Sequence, residues 1–475
     1  MDNELAAIIL AAGLGTRMRS GRAKVLHEIG GAPMIARVVR AVAGLDPAAI
    51  AIVVGHQADE VAEAARRACP DRELSFGVQS PQRGTGDAAR FGLEALGARA
   101  SSDILIINGD MPRMRVETLA RLLDAHRRAR ADISLASVEL EEPGAYGRVV
   151  RDAAGAVRAI VEARDASAAE RAIREINAGV YIARAPVLRE ALARLRADNA
   201  QGEFYLTDIV AIARSMGRAV EALRAAAAAE FAGINSREEL AEMEAEIRRG
   251  TNQRLMAAGV TFIDPATAYI ADEAEIGADT VIGPNVQIVG RCRIGAGVRI
   301  EGTAYLRDVE IGNGSFLKLG VRAEECHIGP DCEVGPFANL RLGTWLEGHN
   351  RIGNFVETKQ ARIGSGTKAS HLSYLGDATI GSDTNIGCGV ITVNYDGYDK
   401  HHTEIGSRCM VGCDTQLVAP VKVGDDVYVA SGSTILREVP DGALAMSHHP
   451  QRQRPGWTAE WHRRHAGAKR DSHQD

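Results

Sequence analysis

Two groups of residues in this chain of 475 carry side chains suited to chemistry. The first is glycine-rich and cationic. The apolar run Ile8-Ile9-Leu10-Ala11-Ala12 empties into Gly13 and Gly15, and Arg17, Arg19 and Lys24 follow. Backbone amides of such a turn point at an anion. Arg17 can grip phosphate oxygens in bidentate fashion, and Lys24 acts as a point charge. The same spacing also suits a plain strand–turn–helix connection with solvated cations. In "IINGDMP", Asp110 stands just past a second apolar run. A carboxylate there can hold Mg²⁺, which takes few protein oxygens plus substrate phosphates, or it can close a turn. Gln79 and the "RGTGDA" stretch at 83–88 supply another glycine turn, with polar groups for a base or sugar. The second group centres on His371, with Tyr374, Asn394 and Tyr395 following and Glu357 and Lys359 preceding. An imidazole titrates near physiological pH and suits a general base, although a loop histidine can equally be a solvated surface residue.

These residues need scaffolds. Apolar runs at 6–10, 50–54 and 104–107 read as buried strands, with helical patterns between them such as 33–45. Alternating strands and helices predict a doubly wound, Rossmann-like α/β domain with its ligand at the carboxyl ends of the strands. Residues 236–259 form a charged helical pattern opened by a Ser236/Glu239 capping box and read as a linker. From about 264 aliphatic residues recur every sixth position: Ile270, Ile276, Ile282, Ile288, Ile294, Ile300, Leu306. The register resumes at Ile328 to Ile352 and again at Ile405 to Ile435. A period of six fits a parallel β-helix with three flat faces. Breaks at 363–380 and 386–405 read as insertions forming loops on one face, and these carry His371, Tyr374, Asn394 and Tyr395.

The net charge of −6 gives no support to a general nucleic-acid binder. No apolar run is long enough to cross a bilayer, and the acidic start Met1-Asp2-Asn3-Glu4 lacks the positive charge of a secretory signal. Seven scattered cysteines without paired C-x-x-C spacing suit free thiols in a reducing compartment. These features predict a cytoplasmic protein with no membrane insertion. The tail at 457–475 is basic and reads as a docking or solvated end.

Taken as an ordered set, "LAAGLGTRM…K", "Q…GTGDA", "NGD", "YGRVV", "IVEARDA", "INAGVY", "GEFYLTD" and "GINSREEL" resemble sugar-nucleotide pyrophosphorylases over about 5–240. "FANLRLG", "GNFVETK", "SHLSYLGDA", "TVNYDG" and "DTQLVAPV" resemble left-handed β-helix acyltransferases over about 260–456. Together the two halves look like the bifunctional bacterial uridylyltransferase–acetyltransferases. That resemblance implies three parts: a uridylyltransferase domain at 1–235, the linker, and a left-handed β-helix acetyltransferase domain at 260–456. It implies acetyl transfer from acetyl-CoA to glucosamine-1-phosphate. Uridylyl transfer from UTP to N-acetylglucosamine-1-phosphate follows, with Mg²⁺, in a homotrimer. The products would feed cell-envelope polymers.

By the same resemblance Leu10, Ala11, Ala12, Gly13, Lys24, Gln79, Gly84, Thr85, Asn108, Gly109, Asp110, Gly147, Glu162, Asn177 and Asn235 contact the nucleotide-sugar. Asp110 and Asn235 hold the metal, and Arg17 and Lys24 assist catalysis. His371 is the base, oriented by Glu357. Arg341, Lys359, Tyr374 and Asn385 bind glucosamine-1-phosphate, and Asn394 stabilises the oxyanion. Cys388, Asn394, Tyr395, Cys413, Ser431 and His448 line the acetyl-CoA site. The family usually has Ala, Ser, Ala and Arg where this chain has Cys388, Cys413, Ser431 and His448.

Overall fold

A computed structural model describes residues 5–100, 103–225, 228–447 and 451–465. The chain divides into two compact units, Met1–Thr251 with Ile270–Asp272, and Asn252–Tyr269 with Glu273–Asp475. The first unit therefore takes in most of the charged helix Arg237–Ala257. Ser236 Oγ accepts from the amide of Glu239 at its start, but the Glu239 carboxylate reaches back to the amide of Asn235, one residue before the expected partner.

The first unit is built on a nine-stranded sheet with helices between its strands. Its strands are β1 (Leu5–Leu10), β2 (Ala49–Val54), β3 (Leu74–Val78), β4 (Asp103–Asn108), β5 (Ile133–Glu139), β6 (Arg148–Arg151), β7 (Val157–Val161), β8 (Glu175–Arg184) and β9 (Val220–Arg224). The spatial order is β9-β5-β8-β4-β1-β2-β3, with β6 and β7 branching from β8. Strands β3, β2, β1 and β4 are parallel. Both faces of β1 are buried, so it reads as an unbroken apolar run without alternation. Strand β8 runs antiparallel to β4 and β5, which makes the sheet mixed. Its pairing with β5 slips between Asn177 and Tyr181, at Gly179 (φ +73°). A Cβ on Gly179 would stand 2.9 Å from Asn108 Nδ2, so glycine lets the bulge close over Asn108.

The second unit is a parallel β-helix. Val281 pairs with Arg299, Arg299 with Phe316, Phe316 with Glu333 and Glu333 with Arg351, so each coil takes 17 or 18 residues. One interior ladder is Ile282, Ile300, Leu317, Val334, Ile352, Ala369, Ile386, Val411 and Val429, all buried. The expected insertion at 363–380 is absent. Ile363, Ala369, Leu375 and Ile380 are all buried and complete an ordinary coil. Small Ala369 in place of a large aliphatic, and a corner one residue shorter, hide the period in the sequence. His371 therefore ends a regular strand, Lys368–His371, and Tyr374 begins another, Tyr374–Ile380. The second break does hold a loop. Thr392 points inward, and the chain leaves the coil before returning at Thr403–Ile405. Thr358 and Thr392 replace aliphatics at interior positions. Their hydroxyls are satisfied by Thr344 Oγ1 (2.9 Å) and by the carbonyl of Gly376 (2.9 Å).

Candidate active sites

In the first unit the carboxyl ends of β1 and β4 open onto a cavity of about 450 Å³. Leu10, Ala11, Ala12, Gly13, Lys24, Gln79, Gly84, Thr85, Asn108 and Asp110 all line it. The two glycines of the opening turn differ in their demands. Gly15 has φ +62°, and a Cβ there would lie 2.6 Å from the Lys24 Cβ, so Gly15 is required for the lysine to pack. A Cβ at Gly13 would meet nothing within 4 Å, so no protein group explains that glycine.

Lys24 Nζ is paired with Asp110 Oδ2 and lies 3.2 Å from Asn235 Oδ1. Arg17 reaches the same Asn235 oxygen at 2.9 Å. Asn235 is fixed from behind by its amide's 2.6 Å bond to Glu239. Two oxygens from residues far apart in sequence thus converge on one cation, here an ammonium.

On the other side, Gly84 (φ +104°) passes so close to Phe204 that a Cβ would stand 2.6 Å from its carbonyl oxygen. Gln79 is buried, and its Nε2 donates to the carbonyl of Gly84 and to Asp87 Oδ2, both at 3.0 Å. Both amide hydrogens are then engaged, which leaves Oε1 for a ligand. Gly109 continues from β4, its amide bonded to the Leu10 carbonyl at 2.8 Å.

Glu162, Gly147 and Asn177 form a separate cluster on the strands around β8. Thr207 donates to Glu162 Oε1 at 3.1 Å, and burial holds the Glu162 carboxyl above its ordinary pKa. Asn177 Nδ2 donates to the Tyr181 hydroxyl at 2.7 Å, and a Cβ at Gly147 would be 3.4 Å from Glu162 Oε1.

In the β-helix the candidate residues gather on adjoining coils. The register pairs Asn354 with His371, and Glu357 with Tyr374. Pairing of Ala369 with Ile386, Ile386 with Val411 and Val411 with Val429 aligns the corner residues that follow. His371, Cys388, Cys413 and Ser431 therefore stand one above another at one corner. His448 lies outside the described residues.

The Glu357 carboxylate accepts from Arg341 Nη1 at 2.7 Å and from Asn339 Nδ2 at 3.3 Å. The carboxylate follows its own coil register, which sets it beside Tyr374. The histidine's register neighbour is Asn354, whose Oδ1 is buried without a hydrogen bond among the described residues. Asn394 is bonded within the protein. Its Nδ2 donates to Asp377 Oδ2 and, at 3.4 Å, to the Tyr374 hydroxyl. Only the longer of these bonds can yield readily to a substrate.

One group escaped the sequence reading. Lys400, on the loop after Thr392, stands so near Lys359 that it holds that ammonium below its ordinary pKa, with Arg341 adding to the effect. Asp377 partly offsets these charges, and a cluster of three cations suits an anion. The signal available in sequence was a lysine within the insertion that already carried Asn394 and Tyr395. Asn385 Nδ2 meets Met410 Sδ at 3.2 Å, and Tyr395 Oη donates to the Gly397 carbonyl at 2.6 Å.

Comparison with known proteins follows the two-unit division. Residues 7–180 match the MobA-like NTP transferase domain family, 265–341 the GMPPB C-terminal domain, and 402–437 the bacterial transferase hexapeptide (six repeats). The chain is 47% identical over 457 residues to a protein of Pelobacter propionicus named "Bifunctional protein GlmU", covering 96% of this chain and 98% of that one. It is 44% identical to proteins of the same name from Corynebacterium glutamicum (96% and 94% covered) and Streptomyces avermitilis (98% and 96%). Among the described residues no helix is long and apolar enough to cross a membrane.

Proposed function

Since this chain belongs to the bifunctional GlmU proteins, we propose how each of its units performs one of the two transfers that make UDP-N-acetylglucosamine. The β-helix unit acetylates glucosamine-1-phosphate, and the α/β unit joins the product to a uridylyl group from UTP, releasing pyrophosphate. The observation that carries the assignment is the presence of two separate constellations with different chemistry. One is a convergence of cations and oxygens without a histidine base; the other is a histidine corner beside an anion site.

In the α/β unit the nucleophile is a sugar-phosphate oxygen, already an anion, so no base is required. The task is to bring anions together and offset their charge in an in-line displacement. The open face of Gly13 admits the nucleotide phosphates against the turn amides. Arg17 and Lys24 supply positive charge. Gln79 Oε1 is an acceptor that suits the N3–H of uracil and opposes the N3 lone pair of cytosine. Asp110 and Asn235 would hold Mg²⁺. Their oxygens already share one cation, and Mg²⁺ takes one or two protein oxygens with the rest from phosphates and water. When bound, the ion would offset charge on the transferring phosphate. Gly147, Glu162 and Asn177 would hold the sugar.

In the β-helix unit Arg341, Lys359 and Lys400 would hold the sugar phosphate, with Glu357 setting the angle of Arg341. Tyr374 and Asn385 would face the sugar. His371 takes a proton from the amine, which attacks the thioester carbonyl of acetyl-CoA and expels the CoA thiolate. Asn354 Oδ1, the register neighbour without a partner among the described residues, would accept from the imidazole ring. Asn394 can turn its longer-bonded hydrogen to the developing oxyanion. The donor would lie along Tyr395, Cys388, Cys413, Ser431 and His448, in a homotrimer. A coupled assay supplying glucosamine-1-phosphate, acetyl-CoA, UTP and Mg²⁺ tests the whole reading. Appearance of CoA thiol and pyrophosphate in equal amounts supports it; either product alone with both substrates present overturns it.

A further inference from the structure

The corner that carries His371 also carries two thiols on consecutive coils. Cys388 and Cys413 are both exposed. Each takes the same turn position, two residues beyond the paired Ile386 and Val411. The amide of Asp414 donates to the Cys388 carbonyl at 2.7 Å, which ties the two corners directly together. Neighbouring strands lie about 4.8 Å apart, within the Cα separation of about 4.4–6.8 Å that a disulfide spans. Glycines flank the pair: Gly387 and Gly412 precede the two cysteines, and Gly389 (φ +78°) follows the first.

The other thiols are placed differently. Cys292, Cys326, Cys332 and Cys409 are buried, and Cys69 is half-buried in the α/β unit. Burial raises the pKa of all four buried thiols, that of Cys326 to about 12 and that of Cys332 to about 11. Nucleophilic thiolate is therefore scarce there, and a reagent in solution meets the corner pair first.

We propose that Cys388 and Cys413 are a reversible dithiol–disulfide site that takes small disulfides as oxidant and, when bridged, shuts off acetyl transfer while leaving uridylyl transfer running. One thiolate attacks a sulfur of a small disulfide such as oxidised glutathione, forming a mixed disulfide and releasing one small thiolate. The second cysteine's thiolate then attacks the protein sulfur of that mixed bond, closing the bridge and releasing the second small thiolate. Two protein thiols are oxidised and one small disulfide is reduced to two thiols. Closure draws the two Cβ atoms towards about 3.8 Å. That tightens the corner one coil beyond His371 and clamps the base of the loop that carries Asn394, Tyr395 and Lys400. The loss of acetyl transfer rests on the assignment of this corner to the acetyl donor; formation of the bridge does not.

The test treats the full-length protein with oxidised glutathione, removes the excess and maps peptides without reduction. The expected result is a 388–413 cross-linked peptide with a mass loss of about 2 Da. Acetyl transfer should fall by about tenfold or more and return with dithiothreitol, while uridylyl transfer stays within about twofold. Cys388→Ser and Cys413→Ser, each compared with its own reduced form, should lose both the cross-link and the oxidative inhibition. Absence of the cross-link, a persistent glutathione adduct in its place, or a bridge between two chains on a non-reducing gel would each overturn the proposal. So would a complete 388–413 bridge with unchanged acetyl transfer. His371→Ala separates the two readings: its peptides should still show the bridge, so unimpaired acetylation by that variant would refute the site assignment and not the bridge.

Discussion

The two sites are assembled in opposite ways. In the α/β unit the key polar pairs are distant in sequence: Lys24 reaches Asp110 and Asn235, 86 and 211 positions on. In the β-helix the corner residues and Glu357 with Tyr374 come from adjoining coils 17 to 25 positions apart, brought together by strand register alone. One site is closed by the tertiary fold and the other is printed along a ladder. A change in the first should propagate through shared charge. A change in the second should stay on its own rung.

The largest test exchanges the two. Asp110→Asn removes the charge that Lys24 uses and that Mg²⁺ would use, and should all but abolish uridylyl transfer while acetylation, followed by CoA thiol release, stays near normal. His371→Ala should lower acetylation by about 10²–10⁴-fold and leave uridylyl transfer from supplied N-acetylglucosamine-1-phosphate intact. Equal loss of both activities in either folded variant would erase the distinction.

A smaller effect tests the anion site. Lys400→Ala should raise the KM for glucosamine-1-phosphate by about tenfold, more at low salt than at high, with little change in kcat. It should also return the Lys359 ammonium towards its ordinary pKa, since Lys400 is the main cause of its depression. An unchanged KM at low ionic strength would remove Lys400 from the site.

Glu357→Gln sharpens the ladder reading. If Glu357 sets Arg341, its loss of a few-fold should appear in KM and be non-additive with Arg341→Ala. Non-additivity with His371→Ala instead would support an orienting role for Glu357.

The smallest effect concerns pH. The folded pKa of Glu162 is raised by burial, so the folded state prefers the neutral carboxyl. Its contribution to stability is present below its unfolded value and is lost as pH rises through the folded value. Glu162→Gln carries no such loss. The thermal midpoint of the variant minus that of the parent should therefore widen from pH 4 to pH 7.5. A gap that narrows over that range would contradict the burial argument.

How much of this was legible in the sequence follows the same division. The turn residues Leu10–Gly13, Lys24 and Asp110 sit in short motifs at strand ends, where apolar runs break abruptly, and they line one cavity. Asn235 carried no local signal, because its partners are distant in sequence; only the family resemblance pointed to it. In the β-helix the six-residue period exposed the fold but misplaced the coil of His371. Ala369 filled an aliphatic position with a residue too small to register, so a regular coil looked like an insertion. The hydrogen-bond partners of Glu357 and Asn394 were not legible for a further reason. Spacing shows which coil a residue is on, but not which of its neighbours its hydrogen bonds select.

That same Ala369 bears on how the solenoid comes apart. Each coil couples only to its neighbours, so the stack behaves as a row of linked segments in which the weakest join sets where a fracture begins. On the coil that ends at His371 the interior positions are Thr358, Ile363 and Ala369, with fewer buried methyl groups than Leu340, Leu346 and Ile352 before it or Leu375, Ile380 and Ile386 after it. The proposed acetyl-transfer residues thus lie beside a thinly packed join of the row. The first cooperative break under heat or denaturant should open there, and a ligand spanning His371 to Ser431 would act as a splint across it.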